Sequence, residues 1–390
     1  MKNKVLLFQV NYLPGYKAGG SLRTLANMVD YLGDEFQMMV VCLDRDLGDK
    51  KPYTDIKPNE WQQVGKAKVM YLSPQNCSLK AFYALIKNTK PDLVYLNSFF
   101  HRVFSRKPLI LRKLGLIPGI PFIVAPRGEF SPGAINIKSI RKRFYIFLIK
   151  LVGLVGKVVW HASNQIEKED INRILGNEVK VVIAQDLPSK ELGDNILISS
   201  KRKERGSLKM LFLSRISAKK NLIGALKILM GVKGNIQFNI YGPIGEQAYW
   251  LKCQNIIKAL PSNIEANYNG EIEYDKVLGV MKEHDIFFLP TFGENFGYVI
   301  LEALFSGCPV ILSDKTPWIN LENSGVGWNI PLSRADRFQE VIQKCVDMNT
   351  DEYQIYSKKA REYGLKIRDN KETQKTNRTL LQTVLQKKSV

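Results

Sequence analysis

Ile286-Phe287-Phe288-Leu289-Pro290-Thr291-Phe292-Gly293-Glu294-Asn295-Phe296-Gly297-Tyr298-Val299-Ile300-Leu301-Glu302-Ala303 is the stretch that decides the fold. A short apolar run stops at a proline, a glycine-bearing loop follows, and a mostly apolar helical segment takes over. Such a run bounded by turn residues reads as a buried strand. Glu294 lies in the loop and Glu302 one to two helical turns further on. The loop glycines would expose backbone amides to a ligand, and carboxylates accept hydrogen bonds from sugar hydroxyls. The bland alternative, acidic side chains facing a helix dipole, covers Glu294. It does not cover Glu302, which sits among Leu301, Ala303 and Leu304 and needs a partner or a ligand.

The same strand–loop–helix rhythm extends in both directions. Val5–Asn11, Phe36–Leu43, Val69–Leu72, Leu93–Leu96, Pro121–Val124 and Val158–Trp160 read as strands, with helices over Ser21–Leu32, near Leu79–Asn88 and near Val103–Leu114. A second series has strands at Met210–Leu213, Ile236–Tyr241, Ile286–Leu289 and Val310–Leu312. This βαβα order predicts an α/β protein of two doubly wound, Rossmann-like halves. The polar run Ser199–Gly206 marks a linker. The expected division is one Rossmann-like domain over 1–186, a linker over 187–206, a second Rossmann-like domain over 207–355, and C-terminal helices over 356–390 packing back on the first domain.

Ligands of such sheets bind outside the carboxyl ends of the strands. Two further loops stand there. Pro14-Gly15-Tyr16-Lys17-Ala18-Gly19-Gly20-Ser21 follows the first strand. Its glycines would let backbone N–H groups approach a phosphate, with a helix N-terminus behind them; a plain turn capped by Ser21 is the alternative. Ser214-Arg215-Ile216-Ser217-Ala218-Lys219-Lys220-Asn221 follows the first strand of the second half. Arg215 and Lys220 there form a candidate diphosphate clamp, against the usual fate of exposed solvated charge. Asp44-Arg45-Asp46 is the sole DxD and reads as loop solvation, so no metal is expected.

Composition narrows the function classes. The 390 residues are 45% hydrophobic and 24% charged, which excludes a largely disordered chain. The five cysteines are scattered singly and only three histidines occur, so neither a disulfide framework nor a zinc site is indicated. The apolar run Val5–Val10 is too short for a signal-peptide core, and no run is long enough to span a bilayer. The net charge is +20, of which residues 1–190 carry +14. That excess implies an anionic partner: nucleic acid, an anionic membrane surface or phosphorylated small molecules.

Taken together, Gly19-Gly20, Arg215 with Lys220, Glu294 with Glu302, and the run from Gly307 to Trp318 (GCPVILSDKTPW) resemble family 4 of the retaining nucleotide-sugar glycosyltransferases, of the bacterial surface-polysaccharide type. The resemblance implies a GT-B fold, two facing Rossmann-like domains with parallel sheets and a helical C-terminal segment. It implies that Arg215 and Lys220 neutralise the donor diphosphate and that Glu302 binds the ribose. It implies that Glu294 holds the donor sugar, with Asn295, Phe296 and Gly297 presenting amides, and that Gly19 and Gly20 face the phosphates. Where many relatives carry a histidine, this chain reads Ala125-Pro126-Arg127-Gly128-Glu129-Phe130, making Arg127 and Glu129 candidates for contact with the sugar or acceptor. The implied reaction is metal-independent transfer, with retention, from a UDP- or GDP-sugar to a saccharide or lipid-linked saccharide in O-antigen, capsule or exopolysaccharide synthesis. No cofactor is implied beyond the nucleotide-sugar co-substrate.

Lys138–Lys157 holds six basic residues and no acidic one, interleaved with Phe144, Phe147, Leu148, Leu151 and Leu154. It reads as a basic amphipathic helix lying on an anionic membrane surface through Lys138, Arg141, Lys142 and Arg143; a core-packed helix with a solvated basic face is the alternative. The expected location is cytoplasmic, peripheral on the cytosolic face of the inner membrane. A nucleotide-sugar epimerase would share the architecture but needs acid–base residues, which the few histidines disfavour. A nucleic-acid-binding protein would leave the glycine and acidic motifs unexplained, and no RRM, KH, zinc-finger or helix-turn-helix signature is present.

Overall fold

The computed structural model describes residues 1–136, 139–190 and 202–386. The chain divides into two compact units, Met1–Ser189 with Asn370–Val390, and Lys190–Asp369.

The first unit runs β1 (Lys4–Phe8), α1 (Gly20–Leu32), β2 (Gln37–Leu43), β3 (Trp61–Val64), β4 (Ala67–Leu72), α2 (Leu79–Thr89), β5 (Leu93–Leu96) and α3 (Arg106–Lys113). It continues with β6 (Phe122–Val124), α4 (Pro132–Asn136), α5 (Ser139–Leu151), β7 (Val159–Ala162), α6 (Gln165–Leu175) and β8 (Lys180–Ile183). The strand order is β3-β4-β2-β1-β5-β6-β7-β8, parallel except for the edge pair β3–β4. Alternate residues of β1 enter opposite cores. Val5 and Leu7 pack with Leu25, Met28 and Leu32 of α1, whereas Leu6 and Phe8 pack with Phe82 and Ile86 of α2. Burial on both faces is what a strand without polar alternation demands.

The second unit runs β9 (Ser207–Leu213), α7 (Leu222–Leu229), β10 (Asn235–Tyr241), α8 (Gln247–Ile257), β11 (Ile264–Tyr268), α9 (Val277–Glu283) and β12 (Ile286–Leu289). Then come α10 (Tyr298–Phe305), β13 (Val310–Ser313), α11 (Leu321–Ser324), β14 (Gly327–Ile330), α12 (Ala335–Asp347) and α13 (Thr350–Arg368). Its sheet, β11-β10-β9-β12-β13-β14, is parallel throughout. The order reverses at β9, as it does at β1 in the first unit. In an open parallel sheet that reversal opens a crevice at the carboxyl ends, where ligands bind.

The helical tail is two helices that go to different units. α13 starts in a capping box between Asn349 and Glu352. Its Gly364 is a contact point rather than a break: a Cβ there would lie 3.0 Å from the Phe305 nitrogen of α10. α14 (Lys371–Gln386) belongs to the first unit, where Leu380, Leu381 and Val384 complete the α1 face of the core. Asn377 Nδ2 donates to Gln185 O at 2.7 Å and Arg378 chelates Glu35. Sequence reading missed β3, β8, β11 and β14, the outer strands of both sheets. Edge strands such as Ile264–Tyr268, buried only at intervals, lack the continuous apolar run that marks a central strand.

Leu381→Ala should remove roughly 2–5 kcal/mol from the first unit, as expected for a buried leucine. Native-state hydrogen exchange checks this: amides of Val5–Leu7 should exchange faster, while those of Phe287–Leu289 keep their protection.

Candidate functional site

In the second unit, the loops after β9 and β12 flank the sheet reversal and are stitched together. Ser214 N donates to Tyr241 O and Ile216 N to Pro243 O, so the first loop lies on the segment after β10. Two glycines make that approach feasible. Gly242 has φ +128°, and a Cβ there would meet Ser214 O at 2.1 Å; one on Gly245 would meet Arg215 Cδ at 2.8 Å. Arg215 therefore runs across Gly245 and is exposed. Lys219 O accepts from Phe292 N at 2.8 Å and from Thr291 Oγ1 at 3.1 Å, and Asn221 Nδ2 donates to Pro290 O at 2.9 Å.

The Lys220 ammonium and the Glu294 carboxylate form an ion pair across these loops, their side chains only 21% and 11% exposed. Sequence reading assigned the two to different parts of a ligand; the structure joins them. Glu294 is also fixed through its N–H, which donates to Lys315 O at 3.0 Å. Phe296 is buried, its ring against Tyr298 and Trp318, and its carbonyl accepts from Trp318 Nε1 at 2.5 Å. Gly297, at φ +79°, opens α10 as its N-cap residue. Asn295 is half-buried in the same loop. Glu302 lies within α10, 5% exposed.

In the first unit, the glycine loop after β1 is held by the DxD segment. Asp46 Oδ2 accepts the N–H groups of Tyr16 and Lys17 at 2.8 and 3.1 Å, and Oδ1 accepts that of Leu47. Asp44 pairs with Arg45. Both aspartates are buried, so the expectation of loop solvation is wrong: carboxylates taken out of water need donors, which come from the Arg45 side chain for Asp44 and from the loop backbone for Asp46. Gly15 is required here, because a Cβ would sit 2.2 Å from the Tyr53 hydroxyl. Gly19, at φ +65°, precedes α1, which carries no side-chain cap. Ser21 is accordingly no capping residue; its hydroxyl meets Gln9 Nε2 at 3.5 Å.

Arg127 and Glu129 sit after β6 and hold loops together. The Arg127 side chain is 6% exposed. Its guanidinium donates to Asn97 Oδ1 at 2.8 Å, to Asp186 Oδ1 at 2.5 Å and to the Tyr95 hydroxyl at 2.6 Å. Asn97 Nδ2 reaches Gln9 Oε1 and Ser21 O, and Asp186 Oδ2 accepts from Thr24 Oγ1. One buried cation thus ties β1, β5, the first turn of α1 and the segment after β8. Because Tyr95 accepts from Arg127, its own proton faces His161 Nδ1 at 2.6 Å, and His161 Nε2–H donates to Ala184 O at 2.7 Å. The ring is neutral: burial, helped by Arg127, lowers its pKa to about 3. Burial pushes the Asp186 carboxyl up, and Arg127 and Thr24 pull it back.

Glu129 accepts from Ser98 Oγ at 2.8 Å and from the N–H groups of Phe99 and Phe100 at 2.6 and 3.1 Å. Burial raises its pKa and these donors oppose the rise. Arg127 itself has φ +53° and is followed by Gly128 at +73°, a turn fixed by Gly128 N donating to Glu167 at 2.6 Å. Tyr95, Asn97, His161 and Asp186 were missed from sequence. The usable signal was a polar residue within or just after β5, β7 and β8. Among the described residues, no group of three or more His, Cys, Asp or Glu side chains is placed to hold a metal ion.

Of the four cations assigned to a membrane surface, Arg141 and Arg143 are exposed, while Lys142 turns inward, donating to Ala134 O at 2.5 Å and lying over the Phe100 ring. Lys138 lies outside the described residues.

Arg127→Ala should destabilise the first unit by about 3–5 kcal/mol, because it strands Asp186 as a buried unpaired charge. Adding Asp186→Asn should recover part of that loss, as read by urea unfolding. His161 gives a pH signature. Its folded pKa lies below the unfolded value, so its contribution is complete above about pH 6.5 and falls as pH drops toward 3. Between pH 7 and pH 5 the wild type should lose on the order of 1–2 kcal/mol from this group. His161→Gln, less stable at neutral pH, should show a correspondingly shallower fall.

Comparison with known proteins agrees with this architecture. Residues 195–363 match the family described as Glycosyl transferases group 1. The GtfA subunit of the UDP-N-acetylglucosamine–peptide N-acetylglucosaminyltransferase of Streptococcus agalactiae is 31% identical over 144 residues, 35% of this chain and 27% of that protein. Among solved structures, the sucrose-phosphate synthase of Thermosynechococcus elongatus superposes with TM-score 0.71 at 13% identity, over 98% of this chain and 99% of the other. Anabaena HepE, solved with UDP and glucose, superposes with TM-score 0.69 at 16% identity, over 98% and 99%. At these identities the superpositions show the fold, which is GT-B.

Proposed function

We propose that this chain is a glycosyltransferase that takes a nucleotide-sugar donor at the loops after β9 and β12. The observation that carries the reading is the Lys220–Glu294 pair joining the loops at the sheet reversal, in the segment that also holds Arg215 and the buried Glu302 and that matches a glycosyltransferase family. Anabaena HepE has been solved with UDP-glucose, which makes UDP-sugars the first donors to try.

The chemistry suits these groups. Breaking the glycosidic bond to a nucleoside diphosphate leaves growing negative charge on the leaving group, and fixed cations stabilise it where it develops. Arg215 and Lys220 fill that role. Glu294 fixes the Lys220 ammonium at the loop ends; Lys220 serves the diphosphate and Glu294 accepts hydroxyls of the donor sugar. Glu302 takes the ribose hydroxyls, and the amides of Asn295, Phe296 and Gly297 face the donor. Transfer is with retention and needs no metal, the cations serving as the electrostatic partner. The acceptor is a saccharide or lipid-linked saccharide of a surface polysaccharide. Arg127 and Glu129 act here by holding the loops after β1 and β5.

The test is nucleoside diphosphate release from a panel of nucleotide sugars, with and without membrane extract. Arg215→Ala and Lys220→Ala should each lower kcat by about 10²–10³. Glu302→Ala should weaken donor binding roughly ten- to a hundredfold, the size of a lost hydrogen bond to a charged group. EDTA should leave turnover intact. Full activity in both cation variants overturns the clamp, and conversion of the donor to its epimer without diphosphate release assigns an epimerase instead.

A further inference from the structure

We infer that α5 is a docking helix whose outward apolar stripe and flanking cations fit the surface of an anionic lipid bilayer. One face of the helix, Ile146 and Ile149, is buried in the α2 side of the core. The opposite face carries Phe144, Phe147, Leu148 and Leu151, spaced i, i+3, i+4, i+7, and exposed by 61%, 60%, 40% and 72%. Ile140, at 83%, and Val152, at 55%, extend the stripe at its ends. A surface helix normally turns charge outward and keeps its apolar side in the core; this one is apolar on both sides.

The cations border the stripe rather than cover it. At 100° per residue, Arg143 and Lys150 fall on one edge and Arg141 on the other, and all three are exposed. Leu114 and Leu116, just beyond α3, are exposed at 62% and 48%. Arg112 of α3 donates to Gly156 O and Lys157 O, which holds this end of α3 to the segment that follows α5. Among the described residues, no helix is long and apolar enough to cross a membrane, so the stripe can rest on a bilayer but not span it.

Charge selects the occupant. From Lys138 to Lys157 there is no acidic residue, and residues 1–190 carry +14. A second copy docked stripe to stripe would bring like charges together, whereas an anionic headgroup layer pairs with the cationic borders while the aromatic side chains enter the interface. The structure also alters the expected residue set: Lys142 is turned inward and Leu154 is buried, so Lys150 replaces the first as a surface cation and Ile140 extends the stripe in place of the second.

The test needs no donor, so its outcome is independent of the glycosyltransferase reading. The full chain is sedimented with vesicles of phosphatidylcholine alone and of phosphatidylcholine with phosphatidylglycerol in equal parts. Wild type should pellet with the anionic vesicles only, and less so as salt shortens the Debye length from ~10 Å at 0.1 M to ~3 Å at 1 M. Each surface cation contributes about fivefold in partitioning at low salt, so Arg141→Gln, Arg143→Gln and Lys150→Gln together should weaken binding by about a hundredfold. Phe144→Ser, Phe147→Ser and Leu151→Ser together should weaken it at least about tenfold through lost apolar burial. Both triple variants should keep the wild-type melting transition, since they change exposed side chains. Equal pelleting on both vesicles, no binding to either, or undiminished binding by both variants overturns the inference. So does a wild-type dimer that the serine variant dissociates without any vesicle binding, which would assign the stripe to contact between copies.

Discussion

A parallel sheet buried on both faces gives its polar side chains few places to go but the strand ends. In both units the central strands are mostly apolar where they are buried, so most side chains that could engage a ligand are pushed past the carboxyl termini. There the sheet order reverses at β1 and at β9, and the loops on either side of the reversal diverge. Gly19 and Gly20 follow β1, Arg215 and Lys220 follow β9, and Glu294 follows β12. Their positions are consequences of a layered α/β architecture before they are consequences of any reaction.

The loops must then be held, since loops alone do not position groups to within a fraction of an ångström. The two units solve this differently. The second unit uses backbone stitching, with Lys219 O receiving two donors from the neighbouring loop and the Lys220–Glu294 pair closing the gap. The first unit uses buried charge. Arg127 gathers Asn97, Asp186 and Tyr95, and Asp46 gathers the amides of Tyr16 and Lys17. A guanidinium removed from water is tolerated only when its donors are satisfied in good geometry, which makes such a network intolerant of single changes and therefore rigid.

α5 follows the opposite logic. Its inner face satisfies the fold, and its outer face leaves large apolar side chains in water, where each one lowers solubility and none stabilises the unit. Together with the absence of acidic residues from Lys138 to Lys157, this separates the helix from the rest of the surface and is what the proposed docking on an anionic bilayer rests on.

What the sequence by itself determined is the central strands, the order of loops and the identity of the residues that end those strands. Continuous apolar runs such as Ile286–Leu289 admit little else, and glycine clusters after a strand are local signals. The outer strands were not legible, because edge positions such as Trp61–Val64 are not fully buried and carry polar side chains. The partners of the charged residues were not legible either. Arg127 meets Asp186 across 59 positions of sequence and Lys220 meets Glu294 across 74, and no local pattern encodes which buried cation finds which carboxylate. The same limit applies to α5: helical spacing showed an apolar stripe, but Lys142 turned out to face inward and Leu154 to lie buried beyond the helix end, because only packing selects which apolar side the core takes and where the helix stops.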